Sequence, residues 1–516
     1  MTASALQEAA AALAAGDPAR AELLCRAALA RSPGAAPLHD LHGDALEALG
    51  RPADAIAAWR QAVDCDPDCV PSLVSLGIAL AAGGDAAAAV PLLHRATGLA
   101  EGPPAAAIWH NMAIALAVLG HHGEAGAAWW QANRLDPANP AVALALAARL
   151  RAAGDAVGAE SVLQALPDGT AEAADAMHAL ASDRLFAHDT VNGERLLRAT
   201  IRRQPDHAVA HHDLGLVLLA LGRFPEGFAE MEWRRAAFGH KRRVVGRRWT
   251  GQTAPGDLLL IHHEQGYGDF IQFCRYVPLA AQRLRVALEV PTPLIRLVSH
   301  AMPGVERIIR REEGLAGFNF ECPIMSLPLA FGTTPGTVPA AVPYLSAAAD
   351  AVAVWRARLA AVPGRKIGLT WAGSPDHGAN VARSIPPDLL APLGGVPGIS
   401  FVSLQLGAPA CPPFGMLDWT DELTDFADTA ALVTALDLVI SVDTAVAHLA
   451  GALARPVWVL NWYDADWRWQ PGPGGRDNLW YPTARQFRQT ERFGWGAVVE
   501  QVTAAARELT RPPTGG

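Results

Sequence analysis

No apolar stretch in this 516-residue chain reaches the ~20 residues that a membrane-spanning helix needs, which argues against such a span. The amino end, MTASALQEAAAALAAGDPAR, has no basic start and carries Glu8 early, so it reads as an amphipathic helix and not as a secretory signal. Cysteine is scarce. Cys25, Cys65, Cys69, Cys274, Cys322 and Cys411 are scattered, no Cys-x-x-Cys pair occurs and no His spacing completes a zinc site. Reduced thiols in a cytoplasmic protein, with no metal site, are the expectation. Charge is sparse as well: 18% of residues are charged against 51% hydrophobic, and the net charge is −9. Such a soluble, mildly acidic chain has no general attraction for nucleic acid or anionic membrane. The basic clusters Lys241-Arg242-Arg243 and Arg247-Arg248 are short and read as solvated charge in a linker.

What the chain does have, first, is a period. Gly16, Gly50 and Gly84 stand 34 residues apart, Gly120 follows 36 later and Gly154 another 34 on. His188 takes the next position and Gly222 the one after, while Pro33, Pro67, Pro137 and Pro205 close successive units. Each unit reads as an Ala/Leu-rich helix, a Gly turn, a second helix and a Pro. A helix-turn-helix period of this length resembles the tetratricopeptide repeat, and about six or seven units cover residues 3–235. The unit at His188 has lost its turn Gly and is the weakest. The resemblance implies a superhelix whose concave side holds a peptide or protein; a spacer or dimerisation arm is the alternative. Trp59, Trp109, Trp129 and Trp130 are placed either to line such a groove or to pack between helices.

Residues 236–256, basic and containing Gly and Pro, read as a linker. Beyond them strand and helix patterns alternate. LLLIH, RVALEV, ERIIRR and the start of FNFECPIMSLPLAFG are strands of one set; KIGLTWAG, ISFVSLQ, LDLVISVD and PVWVLN are strands of a second, with helical stretches between. Alternation of this kind predicts two Rossmann-like halves with a cleft between them. The fold class is therefore α + α/β. Residues 1–235 form the repeat superhelix and 236–256 the linker; 257–362 form a first lobe and 363–490 a second. An amphipathic helix follows over 491–511.

Ligands of such folds sit beyond the carboxyl ends of strands, where Asp269, Gly373, Ser374, Asp443, Thr444 and Asn461 all fall. The sharpest stretch is SVDTAVAHLAGALARPVW, residues 441–458: strand, polar turn, helix, stop, strand. The amides at that helix start lack partners and the dipole is positive there, so a phosphate is the natural guest. The alternative is that Asp443 or Thr444 merely caps the helix. His448 lies on the face that returns toward the same end. In HEQGYGDF, Gly266-x-Gly268 lacks the third Gly and the distal acidic residue of a dinucleotide fingerprint, yet it permits close approach to backbone and exposes Asp269.

HEQGYGDFIQFCRYVP, CPIMSLPLAFGTT, IGLTWAGSPDH, FVSLQ, DFADTAALVTALDLVISVDTAVAHLAGALARPVWVL, DWRW and LWYPTARQFRQ together resemble the bacterial glycosyltransferases of the heptosyltransferase type. The likeness is greatest to the branch that carries tetratricopeptide repeats at its amino end, and it covers roughly residues 257–490. The resemblance implies a GT-B fold, no cofactor and no required metal, a nucleotide-activated sugar bound mainly by the second lobe, and a final helix that crosses back to the first. Carried over residue by residue, Gly268-Asp269 matches the family's Gly-Asp after the first strand, with Asp269 as general base. Asp443, Thr444 and His448 match the motif at the donor phosphates, with Ala445 where a Gly is usual. Tyr267, Phe270 and the run Asn461-Trp462-Tyr463-Asp464 depart from the family and imply a different sugar or acceptor.

On this reading Asp269, His448 and Arg383 are the catalytic set. Gly373, Ser374, Lys366, Gln405, Asp443, Thr444 and Ala445 bind the donor. Gln265, Gly266, Tyr267, Gly268, Asn461, Trp462 and Trp467 contact acceptor or sugar. A single in-line displacement would invert the anomeric centre. Bland alternatives stand beside these roles: Asp269 caps its own helix, Arg383 pairs with Asp388, and Trp467-Arg468-Trp469 wedge the two halves together. The acceptor expected is a protein held by the repeats, flagellin being a reasonable candidate. A lipopolysaccharide acceptor and a non-catalytic repeat scaffold are the rivals.

Overall fold

The computed structural model describes residues 2–239, 246–310, 317–375, 378–407, 410–471 and 478–511. Two compact units emerge, Met1–Ala210 and His211–Gly516. The cluster Lys241-Arg242-Arg243 lies outside the described residues.

The first unit is a succession of helix pairs: Thr2–Ala14 with Pro18–Leu29, Ala36–Ala48 with Pro52–Cys65, Val70–Ala82 with Ala86–Thr97, and so on to Ala171–Phe186 with Thr190–Arg203. The period sets the turns. Gly16, Gly50, Gly84, Gly120 and Gly154 all take the left-handed conformation, and His188 takes it too, at φ +58°, without a glycine's freedom. Small residues let paired helices touch: a Cβ on Gly43 would meet the Trp59 ring at 2.3 Å, and one on Gly77 would meet the Leu93 side chain at 2.7 Å. Trp59 and Trp129 are buried, so packing is their role, whereas Trp130 is exposed.

The second unit takes in the last helix pair, Ala208–Ala220 and Phe224–Glu230, from His211 onward, together with two five-stranded sheets. In chain order the strands are β1 Arg247–Arg248, β2 Leu258–His262, β3 Arg285–Val290, β4 Arg307–Arg310, β5 Phe320–Pro323, β6 Arg365–Thr370, β7 Ile399–Ser403, β8 Leu438–Val442, β9 Val457–Asn461 and β10 Ala484–Arg488. The first sheet runs β1-β5-β2-β3-β4 and the second β10-β9-β8-β6-β7. All of their pairings are parallel. Every residue of β2, β8 and β9 is buried, as expected of strands covered on both faces. Arg247-Arg248 is not solvated linker charge: it pairs with Phe320 and Glu321 and extends the first sheet.

One apolar cluster runs from Phe224 and Phe228 of the last helix pair through Phe270 and Phe273 of the first lobe to Leu432 and Trp480 of the second. Two helices depart from expectation. Ala349–Ala360, sequentially part of the first lobe, packs on Phe426–Ala435 of the second, with Trp355 and Trp419 ring centroids 5.5 Å apart. The chain has already reached the second lobe at Tyr344, whose N–H donates to the Ala452 carbonyl at 3.0 Å. The final helix, Trp495–Thr510, packs on β10 and Ala391–Gly394 and shares the second lobe's own core with Ile367 and Ile440, in place of the crossing the resemblance implied.

Candidate active site

Strand β2 ends at His262, and the chain reaches helix Tyr267–Phe273 through a short loop in which Gln265 holds φ +60°. Asp269 sits in the first turn of that helix. Its Oδ2 accepts the Gly266 N–H at 3.0 Å, so the capping reading is true. It is also incomplete, because Oδ1 accepts from Arg468 Nη2 of the second lobe at 2.6 Å. Burial raises the Asp269 pKa above the usual carboxylate value, although Arg468 and the Gly266 amide pull it down. Arg468 also binds both oxygens of Asp466 at 2.9 Å and lies over the Trp467 ring, 4.8 Å from its centroid.

Across from Asp269 stands helix Ala445–Ala452, entered from β8 through Asp443 and Thr444. Thr444 has extended backbone at the N-cap position, but no side chain caps this helix. The Thr444 hydroxyl is bonded to Ser441 Oγ at 2.9 Å instead. The first-turn amides are thus left without a side-chain acceptor, as an anion site requires. His448 Nδ1 lies 2.9 Å from the Tyr481 hydroxyl, its ring stacks on Trp469 at 5.0 Å, and its Nε2 is 3.8 Å from Asp443 Oδ1. Burial, with Arg468 and Arg275 nearby, pushes the His448 pKa down to about 3, so the imidazole is neutral. Burial and the charge of Asp466 push Asp443 up to about 6.

Gly268 is where the two helices meet. A Cβ there would stand 2.9 Å from His448 Cδ2 and 3.7 Å from Ala445 Cα, so the second glycine of Gly266-x-Gly268 is demanded by the opposite lobe. Arg383 joins from a third segment. Its Nη1 donates to the Asp443 carbonyl at 3.3 Å, and a Cβ on Gly373 would strike its guanidinium at 2.4 Å. Its Nε is buried without an acceptor among the described residues, and burial lowers its pKa. Ser374 follows at the exposed rim, as do Gln265, Gly266 and Tyr267 on the other side. The Tyr267 ring meets Phe426 edge-on at 5.5 Å.

Five expected contacts are placed elsewhere. Lys366 lies at the start of β6, four residues or about 13 Å of strand from Thr370 at its carboxyl end, with its N–H on Asp437. Gln405 spends its amide oxygen on the N–H groups of Trp371 and Ala372, at 3.0 and 2.8 Å. Asn461 is fully buried inside β9 and donates to Gln486 Oε1 at 2.6 Å. Trp462 packs on the second lobe's core. Trp467 is the wedge: the rings of Phe228, Trp480 and Phe224 surround it at 5.7, 5.9 and 6.0 Å. Two contributors, Tyr481 and Arg275, carried no assigned role in the sequence, and Arg468 was read only as part of a wedge. Arg275 is buried beneath His448's partner, 4.7 Å from the Tyr481 centroid. Only the aromatic, basic run around Arg468 marked any of them.

Comparison with known proteins agrees with the motifs. A tetratricopeptide-repeat family model matches residues 41–106 and 178–232, and that of glycosyltransferase family 9 (heptosyltransferase) matches 423–471, the interval holding Asp443, Thr444, His448 and Arg468. Protein FlbA of Caulobacter vibrioides is 29% identical over 341 residues, 59% of this chain and 56% of FlbA, so the match spans little more than half of that relative. Among solved structures, PilF of Pseudomonas aeruginosa is 19% identical over 40% of this chain and 92% of its own, with a TM-score of 0.34. YrrB, described as a TPR protein with an unusual peptide-binding site, is 17% identical over 37% and 96%, with a TM-score of 0.31. Likeness that weak carries no argument about binding. The chain joins segments that match the tetratricopeptide repeat to one that matches the heptosyltransferase family.

Proposed function

We propose that this chain is a glycosyltransferase that moves a sugar from a nucleotide-activated donor to a hydroxyl of a protein presented by its repeats. The pairing of repeats with family 9 sequence supports the coarse reading. The finer one rests on a single observation: the Asp269 carboxylate and the uncapped start of helix Ala445–Ala452 meet across Gly268. Two parallel α/β lobes suit a GT-B arrangement with the donor on the second.

Asp269 takes the proton of the acceptor hydroxyl as its oxygen bonds to the anomeric carbon. The bond from that carbon to the donor phosphate breaks, and the nucleotide leaves with the electron pair, inverting the centre. General-base help of this kind contributes ~10²–10⁴-fold. Negative charge growing on the phosphate meets the amides of residues 445 and 446, neutral His448 and the Arg383 guanidinium. Arg468, held among Asp269 and Asp466, is a cation for which an entering phosphate competes. With these charges in place the reading calls for no metal. No helix among the described residues is long and apolar enough to cross a membrane, and the six cysteines are free; the reading puts the reaction in the cytoplasm. Flagellin is the first acceptor to try, and a cytidine-monophosphate-linked acidic sugar stands beside diphosphate sugars as donor.

A thermal-shift panel with UDP, GDP, ADP, CDP and CMP tests the reading. One nucleotide at 100 times its Kd should stabilise the protein by about 2.7 kcal/mol, and Arg383→Ala should erase the shift. A protein indifferent to all five is a scaffold.

A further inference from the structure

Arg234 is 1% exposed, in the short helix Arg234–Ala237 that follows the last repeat helix. A guanidinium has five N–H groups, and here each meets an acceptor. Nε donates to Glu264 Oε2 at 3.1 Å, and Nη1 to the Met231 carbonyl and to Glu232 Oε1, both at 2.9 Å. Nη2 donates to Glu264 Oε1 at 2.5 Å and to Ser326 Oγ at 2.8 Å. Arg248 of β1 braces the same group through Glu232 and Ser326. The forked pair with Glu264 fixes orientation as well as distance, which a lysine could not do.

Glu264 stands just before the catalytic loop. Gln265 follows in a left-handed conformation that a non-glycine residue holds only where its surroundings over-determine it. Gly266 then gives its N–H to Asp269. The segment from Glu264 to Asp269 is therefore gripped at both ends, by Arg234 behind and by Arg468 in front. We propose that Arg234 is a positioning residue: anchored at the end of the repeats, it holds Glu264 and so fixes the loop that aims Asp269. Arg234 touches no reacting atom and acts through Glu264 alone. The inference rests on the transferase reading for its kinetic consequence but not for its structural one.

The test uses the full chain with Arg234→Met and, in case that variant folds poorly, Glu264→Gln, which keeps the shape and loses the charge. Amide exchange followed by mass spectrometry should show residues 263–268 loosened in both variants while β8 and helix Ala445–Ala452 stay protected. With UDP-, GDP-, ADP- and CMP-linked sugars as probes, kcat should fall about 100-fold for Arg234→Met, the scale of a small misplacement at a reacting centre, while the donor KM moves less than about threefold. Arg234→Lys should not rescue. Unchanged exchange and kcat would overturn the proposal, and so would loosening spread evenly over the unit with kcat and KM changed together. If the wild type turns over none of the four probes, exchange alone decides: local loosening upholds the clamp while the transferase reading falls.

Discussion

Asp443 and His448 titrate against one another. The folded Asp443 carboxyl binds its proton at about 6, above the ordinary 3.8, so its contribution to stability is present at low pH and lost as pH rises through about 6. His448, moved from 6.5 down to about 3, contributes above 6.5 and loses that contribution as pH falls toward 3. Between about pH 4 and 6 the two oppose each other. Asp443→Asn removes only the first. Its unfolding temperature should therefore drop progressively further below wild type as pH is lowered from about 6.5 to 4, in a calorimetric series; a constant gap would contradict the assignment. On the proposed function the same proton matters to the donor. A carboxylate beside a phosphate site repels its guest, and one that protonates near 6 repels it less, so nucleotide affinity should rise as pH falls in the wild type more than in Asp443→Asn.

At the scale of elements, the sequence was readable where the grammar is local. Strand, polar turn and helix over residues 438–452 stand as expected, and the 34-residue period marks its own turns even at His188. Half of Asp269's environment was readable too, since its cap lies three residues away. The other half was not: Arg468 is 199 positions along the chain, and no local pattern announces such a partner. Lys366 failed on strand direction, Asn461 because its side chain is taken up by Gln486 of the neighbouring strand, and Gln405 because neighbouring backbone amides claimed its oxygen. Trp467 failed for a further reason. An aromatic beside a cleft suits sugars and cores alike, and here the last repeat helix supplies Phe224 and Phe228 to bury it. Trp467→Ala should cost about 3–5 kcal/mol in denaturant unfolding, as other large core truncations do; a variant as stable as wild type would reopen the sugar-contact role.

For the whole molecule, the division into compact units matters more than the repeat count. The end of the last helix pair and the short segment after it belong with the α/β lobes, contributing Phe224, Phe228, Met231 and Arg234 to their interior. A fragment starting at His207 keeps all four and should fold, bind nucleotide and lose transfer to a protein acceptor. One starting at residue 236 loses them, a deficit of several kcal/mol per large side chain against a total stability of about 5–15, and should be unfolded by circular dichroism. Activity of the longer fragment equal to the full chain would remove the repeats from acceptor binding. The account as a whole asks that one carboxylate and one helix start act on the same bond. The steady-state rate of sugar transfer by Asp269→Asn, beside its affinity for the donor nucleotide, tests that directly. The rate should fall ~10²–10⁴-fold while nucleotide binding is kept or strengthened, since Asp269 no longer holds Arg468; transfer at close to the wild-type rate would contradict it.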